Sequence, residues 1–421
     1  MMAANNTQTI AAHGTILSIL LRLLSFILSQ LTIRLISVST LGQASIPLEL
    51  LLSSSLFIGR EGFRLALTKE VANNDDKKKE EKRDSEQQQL INVSWLSIPV
   101  GAVLSLFALL IHLNNCKVNN SINNSSDNNE DISLLDYKLA GILYCTSSFI
   151  ESLAEPIVIQ CLQLMDVTTK AKAEGAALVM KSISCFTCLY LMRCRWFDDF
   201  IKMVMIHSSE GGKYQRISDD ETNFAVTAFG LSQLVYALVF TSIMYRHALT
   251  KKNGIQWPKL NNKASMSNFQ MHTLYLVCIF TLQGLFKHAL TEGDKIVLSA
   301  LSGSYDQGVY ALASSYGGLA ARLLLQPMEE NARLLFSRQG ALISQYRSNA
   351  DHDQDKEKNK LASFNLLKEL EDTYYFLIKL VLYIGLLFGT VATNYTSILL
   401  RLLAGSRWGT NTEACDALSA L

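Results

Sequence analysis

Nine long apolar runs, separated by polar tracts, constrain this chain more than any other feature of its sequence. About 20 mostly apolar residues are enough to cross the hydrocarbon core of a bilayer as a helix. The runs cover residues 15–38, 46–68, 91–113, 137–164, 173–195, 222–245, 269–298, 307–336 and 373–401. Only 18% of the 421 residues are charged, whereas about 25% is usual in soluble domains. The pattern predicts an all-α, polytopic helical membrane protein with about nine transmembrane helices.

Lys and Arg residues are distributed unequally among the polar connections. Four alternate connections contain 19 Lys and Arg residues, and the other five contain 5. The basic set comprises 69–90, 165–172, 246–268 and 337–372. Because cytosolic loops are enriched in Lys and Arg, these connections and the N-terminus are predicted to be cytosolic. The opposite connection 114–136 contains glycosylation sequons at Asn119, Asn123 and Asn124, which agrees with a lumenal face.

Ionisable side chains within the apolar runs or at their edges are the candidate functional residues. A charge at the centre of a membrane helix costs about 2.5–3.5 kcal/mol on insertion scales, so it normally faces a cavity or a partner. The basic candidates include Arg22, Arg34, Arg60, Arg64, Lys287, Lys295 and Arg322. The acidic candidates include Glu61, Glu151, Glu155, Glu292, Asp306, Glu329 and Glu330. The structural alternative is that charges near helix ends only reach the headgroups or form ion pairs.

Spacing groups some of these candidates. Arg60 and Arg64 are four residues apart and share a helix face, and Glu61 is close enough in sequence to pair with Arg64. Lys287 and Lys295 belong to a second polar strip. Cations that line a cavity between helix bundles could hold a phosphate or pyrophosphate by charge-assisted hydrogen bonds.

Several function classes are excluded or disfavoured. The sequence contains no HExxH, GxSxG, Walker A or GxGxxG motif, which argues against metalloprotease, acyl-transfer and nucleotide chemistry. Its net charge of +1 gives no basic field for nucleic acid. Cys185 and Cys188 form a CxxC without a second pair and are interpreted as buried thiols. We therefore expect neither enzymatic activity nor a metal or other cofactor.

A block of about forty residues carries a family resemblance. It contains Glu292-Gly-Asp-Lys-Ile, Ser304-Tyr-Asp-Gln-Gly-Val-Tyr310, Leu319-Ala-Ala-Arg-Leu and Gln326-Pro-Met-Glu-Glu330. Phe57-Ile-Gly-Arg-Glu-Gly-Phe-Arg64 and Glu151-Ser-Leu-Ala-Glu-Pro156 add to it. With these motifs the chain resembles the eukaryotic "requiring fifty-three" family of oligosaccharide-lipid translocation proteins of the endoplasmic reticulum.

The resemblance implies a fold, a substrate and a location. The fold is the two-lobe bundle of the multidrug/oligosaccharidyl-lipid/polysaccharide exporter superfamily, which opens alternately to either side of the membrane. The activity is translocation, or essential assistance of translocation, of pentamannosyl-chitobiosyl pyrophosphoryl dolichol to the lumenal leaflet of the endoplasmic reticulum, for protein N-glycosylation. The implied partners are this glycolipid and membrane lipid, without nucleic acid. The candidate cations would meet the pyrophosphate, and the carboxylates would orient them or couple the transport.

On this basis the chain divides into four segments. They are a short cytosolic N-terminus 1–14, a first lobe 15–245 of six transmembrane helices, a cytosolic linker 246–268 and a second lobe 269–421. Family members are longer, so the second lobe is expected to be incomplete, with three helices and the start of a fourth. Polar inserts are predicted at 69–90, 114–136 and 337–372. Their most polar parts, 73–89, 114–133 and 348–360, are predicted to be disordered linkers.

Two other functions stay open at this point. An ion-coupled small-molecule exporter of the same superfamily would need a protonatable carboxylate in the first lobe, and Glu61 or Glu151 could serve. A membrane-embedded glycosyltransferase or pyrophosphatase would need a cluster of carboxylates in a loop, and none stands out in the sequence.

Overall fold

The computed structural model is predominantly helical in the part of the chain that it describes. The described residues are 24–73, 80–122, 128–164, 167–193, 224–250, 256–259, 269–320, 356–387, 389–390 and 393–405, with the single positions 336, 340, 343, 408, 413, 415 and 416. None of these residues lies in a β-strand. The prediction of an all-α protein is confirmed.

Thirteen α-helices are assigned within the described ranges, and they are numbered here in chain order. They are α1 Leu24–Ile33, α2 Val38–Gln43, α3 Glu49–Asn73, α4 Glu80–Trp95, α5 Ser97–Ile122, α6 Asn128–Gln163, α7 Val167–Arg193, α8 Ala225–Thr250, α9 Met271–Thr291, α10 Gly293–Leu301, α11 Ser304–Ala320, α12 Lys356–Leu387 and α13 Thr396–Leu403.

Six helical spans of the described chain are long and apolar enough to cross a membrane. They are Val38–Leu67, Gln87–Cys116, Leu134–Gln163, Thr168–Met192, Ala225–Thr250 and Met271–Thr291. Each coincides with one of the predicted apolar runs, so the prediction of a polytopic helical membrane protein is confirmed. The predicted runs 15–38 and 307–336 lie partly outside the described residues.

Some of the predicted runs are not single helices, and two of these breaks lie in the runs 269–298 and 373–401. The run 269–298 breaks at Glu292, which has φ −111° and ψ 8° and whose N–H closes α9 on the His288 carbonyl. Gly293 follows, and glycine is a poor helix-interior residue. Asp294 and Lys295 therefore lie on the short α10 and not on α9. In the run 373–401, α12 ends at Leu387 and a separate helix, α13, begins at Thr396 after a 3₁₀ turn at Thr393–Tyr395.

The polar inserts are helical where the structure describes them. The described parts of 73–89, 114–133 and 348–360 are helical, as extensions of α3 to α6 and of α12. The prediction of disordered linkers is therefore wrong for those parts. Glu, Gln, Lys and Arg dominate the start of α4, and these residues are strong helix formers. A helix that begins in such a tract continues directly into the apolar run that follows.

The entry to α3 is shaped by a proline. Ser37 caps α2 by accepting a hydrogen bond from the Thr40 N–H at 3.2 Å. A π-helical turn, Ala44–Leu48, then contains Pro47. Proline removes a helix hydrogen bond and clashes with the carbonyl four residues earlier, and a wider turn relieves that clash. The path from α2 to α3 is therefore helical without interruption.

The described chain divides into two compact units, Met1–Ala311 and Leu312–Leu421. Helix α6 is the centre of the first unit, because 67% of its apolar window is buried, against 22–39% for the other five spans. One face packs Ala154 and Ile157 against Ala177 of α7 and Phe240 of α8. Other faces pack against α3, α4 and α9 and against the start of α8. Polar side chains on α6 are consequently held in a protein environment.

The described part of the second unit comprises the end of α11, helices α12 and α13, the 3₁₀ turn Thr393–Tyr395 and isolated residues. On α13 and just beyond it, Leu400, Ala404 and Trp408 are buried and repeat every four residues, which gives one apolar face. Phe336 meets Tyr374 of α12 edge to face, with 6.4 Å between the ring centroids.

Candidate functional site

Two arginines of α3 face two glutamates of α6. Arg60 Nη2 donates to Glu151 Oε2 at 2.8 Å. Arg64 donates twice to Glu155, from Nε at 2.5 Å and from Nη2 at 2.8 Å, in the bidentate geometry that guanidinium and carboxylate groups favour. Both pairs are spaced by four residues on their helices, so adjacent helices bring all four side chains together. These four residues are called the α3–α6 cluster below.

Arg60 donates one hydrogen bond within the α3–α6 cluster, whereas Arg64 donates two. Its Nε lies 3.2 Å from Glu155 Oε2, which is close enough for an ion pair, but the atom makes no hydrogen bond. Glu155 thus bridges both arginines, while Arg60 is held by one hydrogen bond to Glu151. A guanidinium has five N–H donors, so Arg60 has donors beyond those that Glu151 uses.

Burial differs between the two charge types of the α3–α6 cluster. The Glu151 and Glu155 side chains are 4% and 2% exposed, whereas the Arg60 and Arg64 side chains are 19% and 24% exposed. The carboxylates are therefore enclosed by protein, and the guanidinium groups lie at the accessible edge of the cluster. In this arrangement the glutamates fix the direction of the arginines, and the arginines are the groups that an anion could reach.

A third helix completes the cluster through a residue that the sequence analysis did not select. Gln233 of α8 is buried and donates from Nε2 to Glu151 Oε1 at 2.9 Å. Both oxygens of Glu151 are thus engaged, one by Gln233 and the other by Arg60. The sequence analysis searched the apolar runs for ionisable side chains only. Gln233 could have been selected because it is a polar amide in the middle of the apolar run 222–245.

A second polar group joins α3 to α9. Lys287 Nζ lies 3.3 Å from Glu61 Oε1 and 5.8 Å from the centroid of the Phe57 ring. His288 is buried, stacks on Phe57 with 5.0 Å between centroids, and shares a hydrogen bond with Ser54 Oγ at 2.9 Å. The Lys287 side chain is 62% exposed, so this ion pair is accessible.

A third polar group lies at the break between α9 and α10. Lys295 Nζ is 2.8 Å from Glu292 Oε2. Asp294 accepts a hydrogen bond from the Tyr310 hydroxyl of α11. Glu292 and Lys295 are three residues apart in the chain, a spacing at which side chains are close enough to pair.

The remaining candidates are not part of these groups in the described chain. Arg34 is exposed in the turn after α1, and Asp306 is exposed at the start of α11. Four other candidates lie outside the described residues, namely Arg22, Arg322, Glu329 and Glu330. Of the fourteen candidates, the structure brings Arg60, Arg64, Glu151 and Glu155 into one cluster.

No group of three or more His, Cys, Asp or Glu side chains among the described residues is arranged to hold a metal ion. Cys185 is buried and Cys188 is partly buried on α7, and both are free thiols. The arrangement that remains is a guanidinium pair, anchored by carboxylates, which is suited to bind a phosphate or pyrophosphate group.

Comparison with known proteins identifies the family to which the chain belongs. The sequence profile of the family Rft-1, described as Rft protein, matches residues 9–420. The Man(5)GlcNAc(2)-PP-dolichol translocation protein RFT1 of Candida albicans is 30% identical over 98% of this chain and 67% of its own length. The proteins of the same name from Schizosaccharomyces pombe and Saccharomyces cerevisiae are 31% and 25% identical, over 92% and 94% of this chain. The chain covers 63% and 66% of those two proteins. No solved structure matches the chain.

Proposed function

Since the chain belongs to the Rft-1 family, we propose that it translocates a dolichol-pyrophosphate-linked oligosaccharide across a membrane, or is essential to that translocation. The membrane is that of the endoplasmic reticulum, the direction is from the cytosolic to the lumenal leaflet, and the N-terminus is cytosolic. The relatives are named for this translocation, and the chain spans about two thirds of their length. The protein moves its substrate without making or breaking a covalent bond in it.

The α3–α6 cluster is the observation that carries this proposal. A pyrophosphate with its sugars cannot cross hydrocarbon unaided, because the desolvation of charged and polar groups is too costly. Arg60 and Arg64 offer charge-assisted hydrogen bonds at the edge of an apolar bundle, and the buried carboxylates hold them in place. The site thereby replaces part of the water that the pyrophosphate loses, while the lipid tail stays in the bilayer.

The ion-coupled exporter is not favoured by any of these contacts. Glu151, one of the two carboxylates that could have carried protons, has both oxygens committed to Arg60 and Gln233. Glu61, the other, pairs with Lys287. Both carboxylates are better explained as partners that neutralise and orient cations.

Rescue of cells depleted of their own family member tests the proposal. The chain would be expressed as wild type, as Arg60→Gln and as the control Lys172→Gln, which changes an exposed lysine of α7. Dolichol-linked glycans would be separated by chromatography, and protein amounts would be compared by immunoblot. Pentamannosyl-chitobiosyl pyrophosphoryl dolichol, the intermediate with seven sugars, accumulates when translocation fails. We expect its amount to fall with the wild type and the control, and to stay high with Arg60→Gln at equal protein amount.

Two results would contradict this account. If the wild-type chain leaves the intermediate in place while a full-length relative clears it, the 421-residue chain does not perform the translocation. If Arg60→Gln clears it at the wild-type rate, Arg60 is not part of the site.

A further inference from the structure

A short non-helical segment, residues 256–259, contacts three helices of the first unit. This segment, called the strap below, has the sequence Gln-Trp-Pro-Lys and lies between α8 and α9. It belongs to no helix, and its backbone forms hydrogen bonds with side chains of α4 and α6. None of the residues that bind the strap belongs to the α3–α6 cluster.

Two buried side-chain amides bind the two ends of the strap. Asn92 Nδ2 donates to the Lys259 carbonyl at 3.0 Å, and Asn92 Oδ1 accepts from the Lys259 N–H at 3.0 Å. Gln160 Nε2 donates to the Gln256 carbonyl at 3.0 Å, and Gln160 Oε1 accepts from the Gln256 N–H at 2.8 Å. A side-chain amide has the same donor and acceptor as a peptide group, so each pair imitates the pairing of two β-strands.

The middle of the strap is held by a third amide and by aromatic rings. Gln88 Nε2 donates to the Trp257 carbonyl at 3.1 Å. The Trp257 ring lies 5.2 Å from the ring of Trp95 on α4 and 6.5 Å from the ring of Tyr245 on α8, between centroids. Pro258 has no N–H and therefore needs no acceptor, and it restricts the preceding Trp257 to extended conformations.

The two amides that bind the ends of the strap are buried. Asn92 and Gln160 are each 3% exposed. Asn92 Oδ1 also accepts from Gln88 Nε2 at 3.2 Å, and loss of the strap would remove two hydrogen bonds from each of these buried amides, which costs free energy. Trp257 itself is 46% exposed and is not a core residue. The helices thus supply a groove, and the strap supplies a ligand.

We propose that the ends of α4, α6 and α8 form a peptide-binding groove, and that its occupant is the chain's own strap. The groove recognises the backbone of an extended segment through Gln88, Asn92 and Gln160, and it accepts an aromatic residue followed by proline. The strap fixes the point from which the chain continues towards α9, which begins at Met271. This inference does not depend on the proposed translocation.

Amide hydrogen exchange of the whole chain in lipid nanodiscs, read by mass spectrometry, tests the groove. We expect the Gln256 and Lys259 amides to exchange slowly in the wild type, although they lie outside any helix. Asn92→Leu removes both hydrogen bonds to Lys259, and exchange at Lys259 should become roughly 5- to 100-fold faster. Asn92→Asp keeps the acceptor for the Lys259 N–H, and it should give an intermediate rate.

Gln163→Leu is the matched control on the same surface of α6. Gln163 is an amide of α6 that bonds the Leu67 carbonyl of α3 at 3.3 Å and not the strap. Trp257→Ala supplies a change within the strap itself, which leaves the helices intact and should also accelerate exchange at Gln256. Fast exchange at Gln256 and Lys259 in the wild type would overturn the proposal. So would unchanged exchange in both Asn92→Leu and Trp257→Ala, or equal acceleration by Gln163→Leu.

Discussion

Helix α3 meets two neighbours in two different ways. Towards α6 it presents Arg60 and Arg64, whose carboxylate partners are almost fully buried. Towards α9 it presents small residues and one accessible ion pair. A β-carbon at Gly62 would overlap Thr281 Oγ1 and would lie 2.9 Å from both the Thr281 N–H nitrogen and the Val277 carbonyl oxygen. The α3–α6 interface adds a buried charge cluster to its apolar contacts, and the α3–α9 interface includes a close backbone approach at Gly62.

The difference shows what each kind of contact is suited to do. Without a hydrophobic driving force between membrane helices, small residues let backbones approach and gain van der Waals contact. A buried ion pair is a weaker source of stability than its geometry suggests, because desolvation offsets much of the attraction. A costly charged interface beside a simple packed one therefore points to a function for the charged one. The following predictions test this contrast, from the largest expected effect to the smallest.

Glu155→Ala should have the largest effect on stability. It leaves Arg60 and Arg64 without their shared carboxylate, and breaking a buried pair in this way costs about 3–5 kcal/mol of unfolding free energy. Reversible unfolding in mixed micelles with increasing SDS would measure the loss. Glu174→Ala is the control, because Glu174 is 41% exposed in its pair with Lys170, and it should change the free energy by less than about 1 kcal/mol. Equal effects of the two variants would contradict the assignment of the charged interface.

Gly62→Val tests the packed interface. The added carbons must push α9 away from α3, and overpacking of this kind costs about 1–3 kcal/mol. Gly284→Ala is the matched control on the facing helix, because a β-carbon there meets Phe57 and Glu61 at ordinary contact distances of 3.5 and 3.6 Å. The same unfolding assay should give a loss for Gly62→Val and almost none for Gly284→Ala. Similar losses would show that the approach at Gly62 is not the tight one.

Gln233→Leu tests whether α8 takes part in the charged interface. The change removes the donor to Glu151 Oε1 and leaves a buried carboxylate oxygen unsatisfied, which costs about 1–3 kcal/mol. A double-mutant cycle with Glu151→Gln should show coupling, because the two side chains share one hydrogen bond. Additive losses in the unfolding assay would mean that Gln233 acts independently of the cluster.

Glu61→Gln should have the smallest effect. Lys287 is 62% exposed, and exposed ion pairs contribute about 0–1 kcal/mol and are screened by salt. The small loss in unfolding free energy should shrink further as the salt concentration rises. A loss above about 2 kcal/mol would place this pair in the same class as the buried ones.

The sequence located the cations of α3 and the carboxylates of α6 but not their pairing. Arg60 and Arg64 share a face by local spacing, which a periodic pattern reveals. Their partners lie 91 residues away, and no local pattern says which helices become neighbours. Gln233 was not predicted, because only ionisable side chains were selected as candidates and an amide has no charge. The helix break at Glu292 was not predicted, because the apolar run 269–298 is long enough for one helix and Gly293 is its single signal of a break.

The central claim is that the α3–α6 cluster binds a pyrophosphate headgroup. The most direct measurement is the dissociation constant of a polyprenyl pyrophosphate for the purified chain in nanodiscs, compared between wild type and Arg60→Gln. Loss of a charge-assisted hydrogen bond predicts about 10- to 100-fold weaker binding by Arg60→Gln, with Lys172→Gln unchanged. Equal dissociation constants for wild type and Arg60→Gln would contradict the claim.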